Sequence, residues 1–309
     1  ELTFEVLTAG DKAATRGFAL CLHGFPESAY SYRHQLPVLA ALGYRVWAPN
    51  MRGYGRTSPR PHEIDAYKLD NLMADVVALV AASRFELDRH AGGMTLSETS
   101  APNTRRDRPV TLIGHDWGGA LAWVYALRKL GPLDRLVVMN LPHPTLFYRM
   151  FTADTAEGKA QRARSWYFNF FQYPVLPERA ICMRRGRVAA KAFRTDGRCS
   201  DSWPDEAIEV IAAGLTDPLS VRAKVNWYRA NPLPKSLEGP WPDKFELPTL
   251  LLWGEHDKAL GVSLTEGTHD LVTNLTLKLV DASHSVQQDA PTVVNQILRE
   301  WLGNGAGTS

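Results

Sequence analysis

Six consecutive residues, Gly114-His115-Asp116-Trp117-Gly118-Gly119, set a carboxylate among small residues. An apolar run, Val110-Thr111-Leu112-Ile113, leads into them, and an apolar-periodic stretch opens near Trp117. This is the small-x-nucleophile-x-small pattern of a strand-turn-helix corner, where glycines permit a strained backbone that lifts one side chain into the open. The nucleophile position, usually a serine, holds Asp116. An aspartate there also fits a plainer role, capping the helix that follows. As a nucleophile, a carboxylate does not usefully acylate itself from an ester or amide. It can displace a leaving group at a saturated carbon and leave an alkyl ester on the protein. Hydrolysing that ester takes a general base and donors for an oxyanion.

His284, in Ser283-His284-Ser285, is the candidate base, because it follows the last apolar run and precedes the final helical stretch. His23, His34, His62, His90, His115, His143, His256 and His269 compete with it. Asp257, in Trp253-Gly254-Glu255-His256-Asp257, is the candidate acid, with Glu255 as its rival. Upstream, His23-Gly24-Phe25-Pro26 ends an early apolar run, where open α/β sheets bind ligands. The backbone N–H groups of Phe25 and of Trp117 are the expected oxyanion donors. His23 and Pro26 are expected beside the substrate.

The elements that must carry these groups are legible as short apolar runs: 18–22, 44–48, 110–113, 135–139, 249–253 and 275–280. Helical periodicity covers 71–82, 117–130 and 292–301, the second expected to stop at Gly131-Pro132. Near-continuous apolar strands with intervening helices indicate an α/β fold, a mostly parallel sheet covered on both faces. Two segments break the alternation. Residues 84–108 are polar and carry Gly92-Gly93, and read as an exposed insertion. Residues 144–247 are aromatic and Arg-rich without strand-like runs, and read as an inserted helical lid between core segments 1–143 and 248–309. Within the lid, Arg184-Arg185-Gly186-Arg187 is expected to be a solvated face.

The chain has 309 residues, of which 45% are hydrophobic, so a large core is affordable and whole-chain disorder is excluded. Its 35 Lys+Arg against 33 Asp+Glu lack the basic excess of a nucleic-acid binder. Cys21, Cys182 and Cys199 do not suggest a disulfide framework, and a reducing compartment is expected. No apolar run reaches the roughly 18–20 residues of a bilayer span, and 1–10 lack the basic and apolar regions of a signal peptide. The first residue is Glu1, so a few leading residues are expected to be missing. A cytoplasmic, soluble protein is the expectation.

In these motifs the sequence resembles the α/β-hydrolase fold family, and within it the epoxide hydrolases. The resemblance covers nearly the whole chain through His23 to Ser28, Arg52 to Ser58, Gly114 to Gly119, Trp253 to Asp257 and Ser283 to Pro291, in order. Nucleophile, acid and histidine also follow one another in the family's order. The resemblance implies two lid tyrosines that hydrogen-bond the epoxide oxygen. One is Tyr167, five residues before Gln172; the other is Tyr228, in Asn226-Trp227-Tyr228-Arg229. Trp227 is then expected to touch substrate. Two phenols with an ordinary pKa of about 10 can polarise the ring oxygen and supply its proton. The implied reaction is attack by Asp116, then ester hydrolysis by water that His284 activates while Asp257 orients it, releasing a vicinal diol. No metal or organic cofactor is implied, and no ligand spacing suggests one. A small apolar epoxide and water are the expected partners of a monomer or homodimer, with neither nucleic acid nor a membrane expected among them. The chain departs from the family pattern at Ser285, where an aromatic residue is frequent, and at Asn50, where Asp is usual.

The nearest rivals are dehalogenases, which share the elbow aspartate. A haloalkane dehalogenase would keep Trp117 but typically has Asn where Phe25 stands, and it lacks the tyrosine pair. A haloacetate dehalogenase typically has Arg in place of Trp117. A non-catalytic ligand-binding protein on the same fold is the rival from another class, since fold does not fix function. Asp116 at the elbow excludes a serine esterase.

Overall fold

Every residue of the strand Phe18–Leu22 is buried, as a strand covered on both faces must be. It sits inside a seven-stranded sheet, and the computed structural model describes residues 2–12, 14, 16–92, 109–197 and 202–303. The strands are β1 Val6–Ala9, β2 Phe18–Leu22, β3 Arg45–Pro49, β4 Val110–His115, β5 Arg135–Met139, β6 Thr249–Gly254 and β7 Leu275–Val280. Their order is β1-β3-β2-β4-β5-β6-β7, and only β1 runs antiparallel to its neighbour. After β2 the chain moves to one side for β3, then returns to the other side for β4. The topological switch therefore lies between the carboxyl ends of β2 and β4, the place where such sheets open a crevice. Leu22 pairs with Gly114 there, which brings Phe25 and Asp116 into the same crevice.

Alternation along β2 builds two cores. Phe18, Leu20 and Leu22 pack with α2 (Leu69–Gly92) and α3 (Trp117–Leu127), while Ala19 and Cys21 face α1 (Leu36–Ala41) and α13 (Pro291–Gly303). Between β5 and β6 the described chain is helical: α4 Pro144–Thr152, α5 Ala156–Arg164, α6 Trp166–Phe170, α7 Leu176–Ile181, α8 Arg187–Asp196, α9 Asp205–Ala213 and α10 Pro218–Ala230. Short helices α11 (Thr268–Leu271) and α12 (Val286–Asp289) flank β7. The helical insertion is pinned to the core by polar contacts at its return. Trp227 donates from Nε1 to the Arg52 carbonyl at 3.0 Å, and Asn231 takes the Leu69 N–H at 2.8 Å and gives to the Tyr67 carbonyl at 2.9 Å. Inside the insertion, Arg229 grips buried Glu178 with both guanidinium ends, at 2.6 and 3.1 Å.

Two expectations are corrected and one strand is added. The helix expected over 71–82 runs on to Gly92, because Glu86 on its polar continuation accepts from Arg45 Nε at 2.8 Å and Trp47 Nε1 at 3.1 Å. The first part of the expected exposed insertion is thus helix, and residues 93–108 lie outside the described residues. The helix after the elbow ends at Leu127, short of Gly131. Lys129 takes the left-handed turn (φ 51), with its N–H on the Ala126 carbonyl and that of Leu130 on the Tyr125 carbonyl, a Schellman closure made without glycine. Finally, β1 was not anticipated at all.

Candidate active site

The turn after β4 is strained. Asp116 has φ 51 and ψ −123, outside the regions an L-residue prefers, and its backbone is fixed by its N–H on the Met139 carbonyl (3.3 Å) and its carbonyl under the Ala120 N–H (2.9 Å). Glycines make the turn possible. A Cβ on Gly118 would lie 2.0 Å from the Leu22 carbonyl oxygen, and one on Gly24 would lie 2.4 Å from the Asp116 Cβ. Asp116 stands at the start of α3 but makes no capping bond. Instead Oδ1 accepts the Phe25 N–H at 2.8 Å, and Oδ2 lies 3.5 Å from His284 Nε2. Capping therefore does not account for this aspartate.

His284 follows β7 and points its Nδ1 at Asp257 Oδ2, 2.7 Å away. Asp257 is wholly buried at its side chain and is oriented from every side: Oδ1 accepts from the N–H groups of Ala259 and Leu260, both at 2.8 Å, and Oδ2 from Asn140 Nδ2 at 2.7 Å. Glu255, the rival acid, is exposed. Burial alone would hold His284 neutral. The two flanking carboxylates outweigh it and push the imidazole well above its ordinary range. The reciprocal effect acts on Asp116: burial raises it, but the hydrogen bond and charge of His284, the His115 charge and the Phe25 N–H bring it below the ordinary carboxylate range.

A second buried carboxylate stands behind this pair. Glu27 Oε1 accepts from Ser285 Oγ and from Gln288 Nε2, both at 2.7 Å; Oε2 accepts from Gln287 Nε2 at 3.2 Å and lies 3.4 Å from His115 Nδ1. His115 in turn reaches the His284 carbonyl with Nε2 at 2.9 Å. Burial would raise Glu27, yet the His115 charge and these donors hold it down, at about 2. The loop carrying His284 is thus tied to the loop after β2 through Glu27. Sequence reasoning assigned no role to Glu27, His115 or Asn140. The spacing carries only the place of Glu27 and Asn140, a few residues after a buried strand end; their partners lie more than a hundred residues away in the chain.

From the insertion, α6 supplies Tyr167 and α10 supplies buried Tyr228, with ring centroids 6.0 Å apart at 84°. Burial and the Asp116 charge push both phenols well above their ordinary value, so each keeps its proton. A cavity of about 460 Å³ is lined by Phe25, Pro26, Asp116, Tyr167, Tyr228 and His284, with Phe170, Phe171 and Phe193 making its walls apolar. On the other side of Asp116 a cavity of about 50 Å³ is lined by Trp117, Leu141, Phe147 and Phe168, and Tyr167 borders both. Ser285 lines the larger one, where its small side chain leaves room. Asn50 receives the Ala29 N–H at 2.8 Å and donates to Glu5 Oε2 at 2.7 Å, a bridge that an aspartate would replace with two facing carboxylates.

Asp116, His284, Asp257, Tyr167, Tyr228, Phe25, Trp117 and Pro26 therefore meet at one place. His23 and Trp227 do not reach the cavities. His23 hydrogen-bonds the Gly24 carbonyl through Nδ1 (3.0 Å) and accepts the Met51 N–H at Nε2 (3.1 Å), which uses both nitrogens on the backbone; burial lowers its pKa to about 4. The Trp227 indole N–H is spent on the Arg52 carbonyl, and its ring packs edge-on against Trp117 and Tyr54. Both spend their polar atoms on the backbone of neighbouring loops rather than on the lining of these two cavities. Among the described residues no cluster of His, Cys, Asp and Glu could hold a metal, and no helix is long and apolar enough to cross a membrane.

Residues 19–297 match the family described as the Alpha/beta hydrolase family. The chain is 31% identical over 304 residues to the AB hydrolase superfamily protein YfhM of Bacillus subtilis (strain 168), covering 98% of this chain and 95% of that one. It is 32% identical over 311 residues to Epoxide hydrolase 4 of Mus musculus, covering 97% of this chain and 76% of that one. Among solved structures, Epoxide Hydrolase A from Mycobacterium thermoresistibile superposes with a TM-score of 0.73 at 25% identity, covering 98% of this chain and 95% of that one. A Bacillus megaterium epoxide hydrolase shares the fold with a TM-score of 0.74 at 21% identity, each chain covered to 98%. A family match across residues 19–297 and relatives at this identity over almost the whole length lead to one conclusion: the chain belongs to the alpha/beta hydrolase family, among the epoxide hydrolases of that superfamily.

Proposed function

We propose that this chain opens an epoxide to a vicinal diol in two steps, with Asp116 as nucleophile and His284 as general base. The observation that carries the reading is the division of labour within one carboxylate. Oδ1 is held by the Phe25 N–H, while Oδ2 lies 3.5 Å from His284 Nε2, and the side chain that carries them lines both cavities. In the first step Oδ2 forms a bond to an epoxide carbon as the ring C–O bond breaks. The ring oxygen takes a proton from Tyr167 or Tyr228, whose raised pKa values keep them available as donors.

Esterification removes the negative charge beside His284. With that partner gone the imidazole loses part of what kept it protonated, so the first step itself prepares the base for the second. Water then attacks the ester carbonyl carbon and gives its proton to His284, steadied by Asp257. The developing oxyanion at Oδ1 meets the Phe25 N–H and, as the helix-start donor, the Trp117 N–H. The Cγ–Oδ2 bond breaks, the proton held by His284 passes to the leaving diol oxygen, and the second proton of the water leaves the regenerated Asp116 carboxyl and restores the tyrosine that protonated the ring oxygen. The small cavity beside Trp117 and the large one beside His284 suit an epoxide with one bulky apolar substituent.

Dehalogenation would use the same aspartate, but a departing halide needs no proton, and two phenols facing the nucleophile favour an oxygen leaving group. The test is diol formation from a panel of aryl, terminal and disubstituted epoxides, with Asp116→Ala alongside. Diol from the parent and none from the variant is expected. Halide release from haloalkanes without turnover of any epoxide would overturn the reading.

A further inference from the structure

The outer face of the lid combines two features that a merely solvated surface does not need together. Over residues 176–194, which include α7 and most of α8, the only acid is Glu178, and it is buried and held by Arg229. Arg179, Arg184, Arg185, Arg187 and Lys191 are all exposed. Arg187 is paired with Glu209 at 3.1 Å; for Arg179, Arg184 and Arg185 no carboxylate among the described residues lies within ion-pair reach. Large apolar side chains stand out of the same segment: Met183 is 56% exposed, and Val175, Leu176 and Val188 are exposed about as far.

The backbone is strained to present them. Val175 (φ 66), just before α7, and Arg184 (φ 50) and Arg185 (φ 59), just after it, all lie in the left-handed region. That region is unfavourable for any residue with a Cβ, and most of all for a β-branched one. Such strain collects where a surface has a task. This face also borders the mouth of the large cavity. Ile181 lines the cavity from the inner side of α7, and Trp166 and Ala192 both line it and are exposed to solvent.

We propose that this face, Val175 to Lys191 with Trp166 at its edge, docks the protein reversibly on an anionic lipid bilayer, with the mouth of the apolar cavity turned toward the membrane. Arginines meet the lipid phosphates and carboxylates while Met183, Val188 and Leu176 enter the headgroup boundary. Apolar molecules concentrate in bilayers, so docking there shortens the path from the lipid to the cavity.

The experiment is sedimentation of the full chain with phosphatidylcholine vesicles and with vesicles that also contain phosphatidylserine. Binding is expected only to the second and is expected to weaken with salt. The triple variant Arg179→Gln/Arg184→Gln/Arg185→Gln should bind roughly fivefold less per arginine, about a hundredfold in all. Met183→Ser/Val188→Ser should weaken binding independently, and melting temperature reports that both variants fold. Equal binding to both vesicle types, no binding to either, or a folded triple variant that binds like the parent overturns the proposal. So does a dimer in solution that Met183→Ser/Val188→Ser dissolves, since the face would then belong to a second copy. Vesicle binding is read without turnover, so its failure leaves the epoxide reading untouched.

Discussion

Replacing Glu27 by Gln removes one negative charge from a buried polar cluster behind the Asp116–His284 pair, and the cost can be worked from its titration. In the unfolded chain this carboxyl has an ordinary value of 4.5, and in the fold it sits at about 2. A lowered carboxylate pKa stabilises the fold at pH values above the unfolded value, and that stability is lost as pH falls toward the folded value. A difference of about two and a half pH units corresponds to about 3 kcal/mol above about pH 5, falling to about 2 kcal/mol near pH 3.5. The glutamine amide would also face donors, Gln287 Nε2 and His115 Nδ1 on one side or Ser285 Oγ and Gln288 Nε2 on the other. That conflict adds about 1 kcal/mol and does not depend on the acid limb.

The assay is urea unfolding of parent and Glu27→Gln, followed by tryptophan fluorescence from pH 7 down to the lowest pH at which the parent stays folded. The gap between the two is expected to be constant from pH 7 to about pH 5 and to narrow steadily below. A gap that keeps its full size down to about pH 3 would refute the reasoning, because Glu27 would then not be held ionised by its partners.

Other predictions concern the reaction and the lid. His284→Gln should still be alkylated but should hydrolyse the ester at least a hundredfold more slowly, of the order expected for a lost general base; intact mass should rise by the mass of the epoxide, and an unmodified protein after long incubation would count against the two-step route. Tyr167→Phe and Tyr228→Phe should each lower kcat for diol formation by roughly 10²–10³, the loss expected for one donor to a developing oxyanion, while ester hydrolysis measured in a single turnover stays close to that of the parent. Lys224, buried on α10, has its pKa pushed down to about 7 from 10.5, chiefly by burial. The fold is therefore penalised below that value and recovers as pH rises toward 10.5, so Lys224→Met should raise the melting temperature more at pH 6 than at pH 10; equal gains at both would contradict the buried ammonium.

The parallel strands were legible because burial on both faces leaves near-continuous apolar runs, and Phe18–Leu22 could be read with no further help. The edge strand β1 was not, for the converse reason: Val6 and Ala9 are only half-buried, Leu7 and Thr8 are exposed, and four residues offer no run. The second half of α2 is not legible as a helix, because between residues 81 and 87 the buried positions are Ser83 and Leu87 and the inward-turned Glu86 meets Arg45 and Trp47, which leaves no apolar stripe. In the site, the residues whose types announce chemistry could be found by their place at strand ends, including the preference for Asp257 over Glu255. Asn140 and Glu27 could not, because what they do depends on partners more than a hundred residues away. His23 and Trp227 were expected at the substrate because of the motifs they sit in, and both turned out to spend their polar atoms on backbone carbonyls and N–H groups.

The unequal treatment of the two Asp116 oxygens gives the enzyme a one-turnover memory of its solvent. Phe25 pins Oδ1, so in the proposed route it is always Oδ2 that departs in the diol and water that refills its place. A fresh enzyme moved into heavy-oxygen water would hand its first product an oxygen drawn from its own polypeptide. The isotope would enter the protein in that cycle and leave only in the next. The side chain at the elbow is on this account a reagent, consumed and rebuilt each time, and the Phe25 N–H decides which half of it is spent.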